Sequence, residues 1–198
     1  MCCLFGFIDY NHNLSGKQKN RLLRSLASAA EERGTDAAGI AYHAGGKLNI
    51  MKKAKPAHVL RFRVPAETSV VMGHTRYATQ GDAKKTYNAH PFQGQIGNKK
   101  FALAHNGVLL NDRLLQQAED LPKTHIGTDS YVAVQLLEKQ NALNFNSLRK
   151  VRNKFRALLC LRSWMHRTIF TSSTGTTPSA CITSPSRASM FMLLPNPS

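Results

Sequence analysis

Apolar residues near the start of the chain form two patterns, one typical of a strand and one typical of a helix. Residues 2–8 are an almost unbroken apolar run of strand length, which ends before a polar turn around His12. Beyond this turn, leucines and alanines recur at helical spacing as far as Arg33. Ser15 and Gln18 match a capping box, in which each residue satisfies a free backbone donor of the other. The sequence therefore predicts a strand followed by an amphipathic helix that ends at about Arg33.

Farther along, several short strand-like runs follow one another before helical spacing returns. Gly45 and Gly46 are a turn signal between two such runs. Asn111 and Thr128 are suitable N-cap residues for two later helices. The predicted strands cover residues 39–42, 48–52, 69–75 and 101–105, and the predicted helices cover residues 112–119 and 129–139. Successive strands without a glycine-rich phosphate loop favour an α+β fold over a Rossmann-type sheet.

Length and composition are typical of one globular domain. The chain has 198 residues, of which 42% are hydrophobic, and this is enough for a substantial core. Its cysteines, at positions 2, 3, 160 and 181, have neither zinc-ligand spacing nor the density of a disulfide scaffold, so a reducing compartment is expected. No apolar run reaches the length of a membrane span, and no basic lead-in marks the first run as a signal peptide. We therefore expect a soluble, cytoplasmic protein.

The net charge of +16 is unevenly distributed along the chain. Residues 1–138 contain all 11 acidic residues and 18 of the 27 Lys and Arg. Residues 139–198 contain the remaining Lys and Arg and no acidic residue. Such a positive charge would ordinarily favour nucleic acid or an anionic surface as a partner. Because more than half of the excess lies after residue 138, and no basic motif with interleaved aromatic residues precedes it, neither nucleic acid nor a membrane is an expected partner.

Composition changes near residue 151, where we predict that the folded domain ends. From residue 168 to the end of the chain, 17 of 31 residues are Ser, Thr or Pro, a composition typical of disorder. Translation in a shifted reading frame would also produce a segment without acidic residues. We therefore predict a domain over residues 1–151 and a tail over residues 152–198 that is either disordered or frame-shifted.

The first candidate for chemistry is Cys2. Removal of Met1, which a small second residue permits, would leave a thiol and a free α-amino group on the same residue. A cysteine thiol titrates near ~8.5 and an α-amine near ~8, so the amine could serve as the base for a thiol nucleophile. The alternative is that Cys2 is only a small buried hydrophobic residue.

Further polar candidates lie where predicted strands end or loops begin, and each has a structural alternative. Arg76 could form a surface ion pair, and Asp129 could stabilise the start of a helix through the helix dipole. Asn106 with Gly107 is a common hairpin turn. The remaining candidates are Thr79 and His90, and a histidine such as His90 is commonly a hydrogen-bonded core residue. No two of the histidines at positions 74, 90 and 105 have metal-ligand spacing, and neither a metal nor a cofactor is expected.

Six motifs taken together point to one family. In chain order they are Met1-Cys2 with Leu4-Phe5-Gly6, residues 33–40 (RGTDAAGI), residues 73–79 (GHTRYAT) with Gly81, residues 88–92 (NAHPF), residues 104–108 (AHNGV) and residues 128–130 (TDS). This ordered set, across residues 2–150, resembles the class II glutamine amidotransferases. The resemblance implies a four-layer α/β/β/α sandwich of the N-terminal-nucleophile hydrolase type, which we expect to be incomplete at its C-terminus because the similarity stops near Val151.

The resemblance also implies a catalytic role for three residues. Cys2 would attack the side-chain amide carbon of glutamine, with its own α-amine as base and then as acid toward the departing ammonia. Asn106 and the backbone N–H of Gly107 would stabilise the oxyanion that develops. Glutamate would be freed from the resulting Cys2 thioester by water.

Four further residues would bind glutamine in this resemblance. Arg76 would hold the α-carboxylate, because its planar guanidinium can form two parallel hydrogen bonds with it. Asp129 would hold the α-ammonium group. Thr79 and His90 would line the same pocket.

The ammonia acceptor is left open by the motifs. Gln80 stands where the sugar-aminating branch of the family usually has His, whereas Tyr77 and residues 88–92 resemble the phosphoribosyl-aminating branch. The expected partners are L-glutamine as substrate and a separate synthase or acceptor subunit, unless ammonia is released. The alternative function is an inactive, truncated amidotransferase-like remnant with an interaction role only. A frame-shifted tail predicts poor folding or weak activity for this polypeptide.

Overall fold

A computed structural model describes residues 2–155 and the backbone of three later strands. In chain order the strands are β1 (Cys3–Ile8), β2 (Ala37–Ala44), β3 (Lys47–Lys53), β4 (Val70–Arg76), β5 (Phe92–Ile96), β6 (Lys99–Gly107), β7 (Thr168–Thr171), β8 (Ala180–Thr183) and β9 (Ser189–Pro195). The helices are α1 (Gly16–Glu31), α2 (Ala57–Leu60), α3 (Asp112–Ala118), α4 (Tyr131–Gln140) and α5 (Phe145–Lys154), with a 3₁₀ turn at Thr86–Asn88. Among these described residues, no helix combines the length and apolar character that crossing a membrane requires.

The first sheet is antiparallel and has the strand order β1-β4-β2-β3. Its register places Cys3 of β1 opposite Thr75 of β4. Helix α1 covers one face of this sheet, because Leu23 and Ala27 pack with Ile40 and Val71 in one buried cluster. The apolar positions that predicted α1 therefore form the side of the helix that is buried.

The second sheet has the strand order β5-β6-β9-β8-β7 and its described pairings are also antiparallel. Helix α4 covers its outer face, where Leu136 packs with Phe101 and Leu103 of β6. Strand β9 runs along the other edge of β6, from Phe101 opposite Pro195 to Gly107 opposite Ser189. This pairing continues to the end of β6, which carries the predicted oxyanion residues.

The two sheets pack against each other in a buried cluster that includes three alanines. Ala41 and Met72 of the first sheet pack against Ala102 and Ala104 of the second sheet. Alanines on facing sheets allow their backbones to approach closely, and helices cover both outer faces. The predicted α/β/β/α order is therefore confirmed, with α1, the first sheet, the second sheet and α4 as its layers. Incompleteness of the sandwich at its C-terminus stays a prediction.

The capping-box prediction is confirmed in detail. Ser15 is the N-cap of α1, its side chain accepts from the Gln18 N–H, and the Gln18 side chain accepts from the Ser15 N–H. The Thr128 prediction is wrong, because the Thr128 hydroxyl donates to the Asn88 carbonyl at 2.9 Å and α4 begins later, at Tyr131. Tertiary contact has here replaced the local cap that the sequence favoured.

Strand β5 and helix α5 are among the elements that the sequence did not predict. Strand β5 follows the NAHPF motif directly, and its short FQGQI sequence has a weak strand pattern. Helix α5 continues to Lys154 and so crosses the predicted boundary at residue 151. Strands β7, β8 and β9 also come from the predicted tail, and the other tail residues after Phe155 lie outside the described residues. The boundary and the nature of the tail therefore stay predictions.

Candidate active site

Strand alternation places Arg76 and Asn106 on the side of each sheet that faces the other sheet. Successive side chains of a strand point to opposite faces. On β4, Arg76 therefore lies on the same face as Met72, which packs between the sheets. On β6, Asn106 lies on the same face as Ala104, which also packs between the sheets. Arg76 and Asn106 thus project from strand ends toward the space between the two layers.

The thiol of Cys2 lies against the first peptide of the loop after β4. The Tyr77 N–H donates to Cys2 Sγ at 3.4 Å, and the thiol reaches the Tyr77 carbonyl at the same distance. Burial raises the pKa of the Cys2 thiol, whereas the Tyr77 N–H and the charge of Arg76 work against this rise. A thiol in this position needs a base to become a nucleophile near neutral pH.

The guanidinium of Arg76 is almost fully buried, with only 2% of the residue exposed. Its Nη2 donates to the Gln80 carbonyl at 2.6 Å and to the Gly81 carbonyl at 3.2 Å. Its Nη1 is buried and has no hydrogen-bond partner among the residues that the structure describes. Burial lowers the pKa of Arg76, and the charges of Cys2, Asp129 and other nearby carboxylates oppose this shift. One edge of the guanidinium is therefore held by the protein, and the other carries an unused donor.

The loop that follows Arg76 is fixed from two sides, and we call residues 77–81 the arginine loop. On one side, Asp36 accepts a hydrogen bond from the Ala78 N–H at 2.7 Å. On the other side, the Gln80 side chain donates to Asp112 at the start of α3, at 2.8 Å. Gly34 lies directly behind the loop, and a Cβ added there would be 2.5 Å from the Arg76 carbonyl carbon. Glycine at position 34 is therefore needed for this close backbone approach.

Asp129 reaches the site from the other sheet layer, just before α4. It is 4% exposed, its Oδ2 accepts from the Leu109 N–H at 2.6 Å, and its Oδ1 accepts from the Ser130 hydroxyl at 3.2 Å. Burial raises the pKa of Asp129, while these two hydrogen bonds lower it. Its charge interacts with those of both Cys2 and Arg76. The carboxylate is thus oriented by contacts with the rest of the fold.

The other predicted site residues lie at the end of β6, behind the site or on the arginine loop. Asn106 and Gly107 are half-buried at the end of β6, so they do not form the hairpin turn that was the structural alternative. The His90 ring is buried behind the site, with ring centroids 4.3 Å from His74 and 4.4 Å from Phe92. Thr79 is exposed on the arginine loop. Charge interactions therefore link Cys2, Arg76 and Asp129 to one another.

A family model described as "Glutamine amidotransferases class-II" matches residues 1–168. The chain belongs to the class-II glutamine amidotransferase family. The family identification that the six motifs suggested is therefore confirmed, and its match extends beyond the predicted domain boundary at residue 151.

Curated relatives of this amidotransferase chain include isomerizing glutamine–fructose-6-phosphate aminotransferases. The protein from Bacillus cereus (strain ATCC 10987) is 40% identical over 145 residues, which is 71% of this chain and 22% of that protein. The protein from Listeria innocua is 36% identical over 143 residues, which is 70% of this chain and 22% of that protein. The amidotransferase chain therefore spans about a fifth of the length of these relatives.

Solved structures support the fold. The structure titled "Structure of the allosteric regulatory enzyme of purine biosynthesis" superposes with a TM-score of 0.64 at 18% identity, over 99% of this chain and 36% of that one. The glutamine phosphoribosylpyrophosphate amidotransferase from B. subtilis superposes with a TM-score of 0.62 at 18% identity, over 98% of this chain and 41% of that one. These similarities confirm the sandwich fold of the amidotransferase chain.

Several residues that support the site were missed by sequence reasoning. Asp36 lies inside the RGTDAAGI motif, so its position in a matched motif was a usable signal. Ser130 lies beside Asp129 in the TDS motif and was likewise matched without being given a role. Leu109, Gln80 and Asp112 contribute contacts that only the folded chain reveals, because their partners are 20, 4 and 32 residues away in sequence.

Proposed function

We propose that this chain is a glutaminase that hydrolyses the side-chain amide of L-glutamine to glutamate and ammonia, with Cys2 as nucleophile. The observation that supports this most strongly is the environment of Arg76. A buried guanidinium with one edge bound by carbonyls and one unused donor is suited to a planar carboxylate. The α-carboxylate of an amino acid is such a group, and family membership makes glutamine the amino acid concerned.

The second charge of the substrate is matched by Asp129. A free α-amino acid carries an ammonium group next to its carboxylate, and a buried carboxylate near Arg76 suits this ammonium. Because Arg76 and Asp129 would hold opposite charges of the same small molecule, glutamine would enter with its side chain directed toward Cys2. Thr79 and His90 are proposed to line the pocket less directly.

The chemical steps follow from these positions. The proton of the Cys2 thiol passes to the α-amine that removal of Met1 would expose, and the sulfur forms a bond to the amide carbon. The carbonyl electron pair moves onto oxygen, where Asn106 and the Gly107 N–H stabilise the negative charge. Collapse of this intermediate breaks the carbon–nitrogen bond, and nitrogen leaves as ammonia after taking the proton back. Water then adds to the thioester, glutamate leaves and the thiol is restored.

The destination of the ammonia is proposed separately. The curated relatives are named for amination of fructose 6-phosphate. For this chain we propose that ammonia passes to a separate acceptor subunit or is released. This part is tested separately by adding a candidate acceptor protein to the glutaminase assay and measuring how much ammonia it consumes.

A glutaminase assay on three proteins tests the proposal. Wild-type protein is expected to release glutamate and ammonia in equal amounts from L-glutamine. Cys2→Ala is expected to abolish this release, whereas the matched variant Cys3→Ala should keep it, since only Cys2 would become the terminal residue. Release of glutamate by Cys2→Ala at the wild-type rate would contradict the proposed mechanism.

A further inference from the structure

A buried chain of hydrogen bonds joins Asp129 to the strand that carries the oxyanion residues. Ser130 Oγ lies 3.2 Å from Asp129 Oδ1 and 2.7 Å from His105 Nδ1. His105 and Ser130 are each 1% exposed, and Asp129 is 4% exposed. The contact between His105 and Ser130 spans 25 residues of sequence, so it is a tertiary contact and not a helix cap.

The direction of each hydrogen bond in this chain is determined by chemistry. An ionised carboxylate can only accept, so the Ser130 hydroxyl must donate its single hydrogen to Asp129. Ser130 Oγ must then accept from His105, which requires a proton on His105 Nδ1. Burial lowers the pKa of His105 to about 3, so near neutral pH the ring is neutral and carries one proton. His105 is therefore the Nδ1–H tautomer.

The peptide after His105 is held as well. The His105 carbonyl lies 3.1 Å from His74 Nε2, and because a carbonyl can only accept, His74 carries its proton on Nε2. Burial lowers the pKa of His74 to about 3, so this ring is also neutral near pH 7. His74 thus joins β4 to β6 at the residue that directly precedes Asn106.

This chain of hydrogen bonds connects two parts of the site that are separate in sequence. His105 precedes Asn106 on β6, whereas Ser130 follows Asp129 before α4. By strand alternation, His105 lies on the helix-facing side of β6 and Asn106 lies on the side that faces the first sheet. Two consecutive residues of β6 therefore carry the contact to Ser130 and a proposed oxyanion donor.

We propose that His105 and Ser130 are positioning residues, which hold the Asp129 carboxylate in the orientation that binds the substrate ammonium and keep it in register with Asn106. This inference rests on the proposed glutaminase function. Asp129 Oδ2 is already fixed by the Leu109 N–H at 2.6 Å. With Oδ1 held by the Ser130 hydroxyl, both carboxylate oxygens are bound by the protein, and this fixes the orientation that Asp129 presents to a ligand.

Steady-state kinetics of two serine variants test the positioning role. Ser130→Ala should raise KM for glutamine about 10-fold with kcat changed far less, since a lost hydrogen bond to a charged group has about this effect on ground-state binding. Ser130→Thr, which keeps a hydroxyl, should recover most of the loss. The matched control is Ser147→Ala in the capping box of α5, where a buried hydroxyl accepts from the Asn144 N–H and donates to the Asn144 carbonyl, and it should leave KM unchanged. An unchanged KM in Ser130→Ala, or an equal rise in Ser147→Ala, overturns the proposal.

Nitrogen NMR of ¹⁵N-histidine-labelled protein gives a second test that needs no activity. Wild-type protein should show His105 as the Nδ1–H tautomer and His74 as the Nε2–H tautomer at pH 7. Ser130→Ala should shift His105 away from the pure Nδ1–H form, because its acceptor is gone. A wild-type His105 protonated on Nε2 overturns the proposal. If the wild-type enzyme shows these tautomers but releases no glutamate, the glutaminase function fails while the hydrogen-bond chain stands.

Discussion

The buried side chain of Arg76 donates to the main-chain carbonyl of Gln80, four residues later, at 2.6 Å. The same Gln80 uses its side chain to bind Asp112 on α3 at 2.8 Å. The guanidinium therefore folds the arginine loop back over itself, and the loop is in turn attached to a helix beside the second sheet. This arrangement orients Arg76 before any ligand arrives, which lowers the entropy cost of binding.

Replacing Arg76 by lysine should weaken glutamine binding, although the charge is kept. An ammonium cannot satisfy the Gln80 and Gly81 carbonyls on one edge and a carboxylate on the other. We expect KM to rise at least about 10-fold, as the loss of one charged hydrogen bond would produce. Arg24→Lys, on the exposed side of α1, is the matched control and should behave as wild type. A wild-type KM for glutamine in Arg76→Lys would show that Arg76 does not bind the substrate carboxylate.

Replacing Gly34 by alanine should damage the site from behind. The new Cβ would lie 2.5 Å from the Arg76 carbonyl carbon and 2.7 Å from the Tyr77 nitrogen, and that peptide also contacts the Cys2 thiol. We expect a loss of about 1–3 kcal/mol in the free energy of unfolding from overpacking, together with lower activity. Urea denaturation and the glutaminase assay measure the two effects.

A second glycine variant serves as the control for this prediction. Gly45 has a φ of 58° and nothing within 4 Å of an added Cβ. Asparagine tolerates this left-handed conformation, so Gly45→Asn should change stability by less than about 1 kcal/mol and leave activity unchanged. If Gly34→Ala and Gly45→Asn behaved alike, the close approach at Gly34 would not matter.

Replacing Lys19 by methionine should destabilise the protein without changing the site. Lys19 is fully buried on α1, and its ammonium donates to the Ala66 and Thr68 carbonyls at 2.8 Å and lies 3.3 Å from Asp9. Methionine fills similar volume but leaves these acceptors without their donor, so we expect a loss of at least about 2 kcal/mol in the free energy of unfolding. Lys17→Met, exposed on the same helix, should have little effect, and equal urea midpoints for the two variants would disprove this.

Stability should fall as the pH falls below 6.5. Burial lowers the pKa of His74 and His105 to about 3 and that of His90 well below its usual value. Between about 3 and 6.5 the unfolded chain therefore binds protons that the folded protein excludes, and each such histidine contributes a slope of ~1.4 kcal/mol per pH unit. This stability is fully present above pH 6.5 and is lost toward pH 3.

Urea midpoints measured from pH 7.5 to 4.5 test this dependence. The control variant is His12→Asn, an exposed residue in a turn with a φ of 52°, and it should keep the wild-type slope. A flat profile between pH 6.5 and 5 would mean that the three buried histidines titrate normally.

The local elements of the fold could be predicted because their signals are local. The capping box and the apolar spacing placed α1, and strand-like runs placed β2, β3, β4 and β6. Strand β5 could not be predicted in this way, since FQGQI has one glycine in five residues and pairs with β6 only in the folded protein. Thr128 failed as a cap for a similar reason, because a distant carbonyl takes its hydroxyl.

The residues of the candidate site could be proposed from motifs, but their supports could not. Cys2, Arg76 and Asp129 each lie in a matched motif. The unused donor on Arg76 and the chain from His105 through Ser130 to Asp129 depend on burial and on hydrogen bonds across the fold. Such contacts leave no periodic pattern in a single sequence, so only the structure reveals them.

The nucleophilic role of Cys2 is tested most directly by covalent labelling with a glutamine analogue that carries an electrophilic diazoketone in place of the side-chain amide. Peptide mass spectrometry should find one adduct, on Cys2, in a chain that lacks Met1, and excess L-glutamine should prevent its formation. The neighbouring Cys3 should remain unmodified. No adduct, an adduct on Cys3, or labelling that L-glutamine does not suppress would contradict the account.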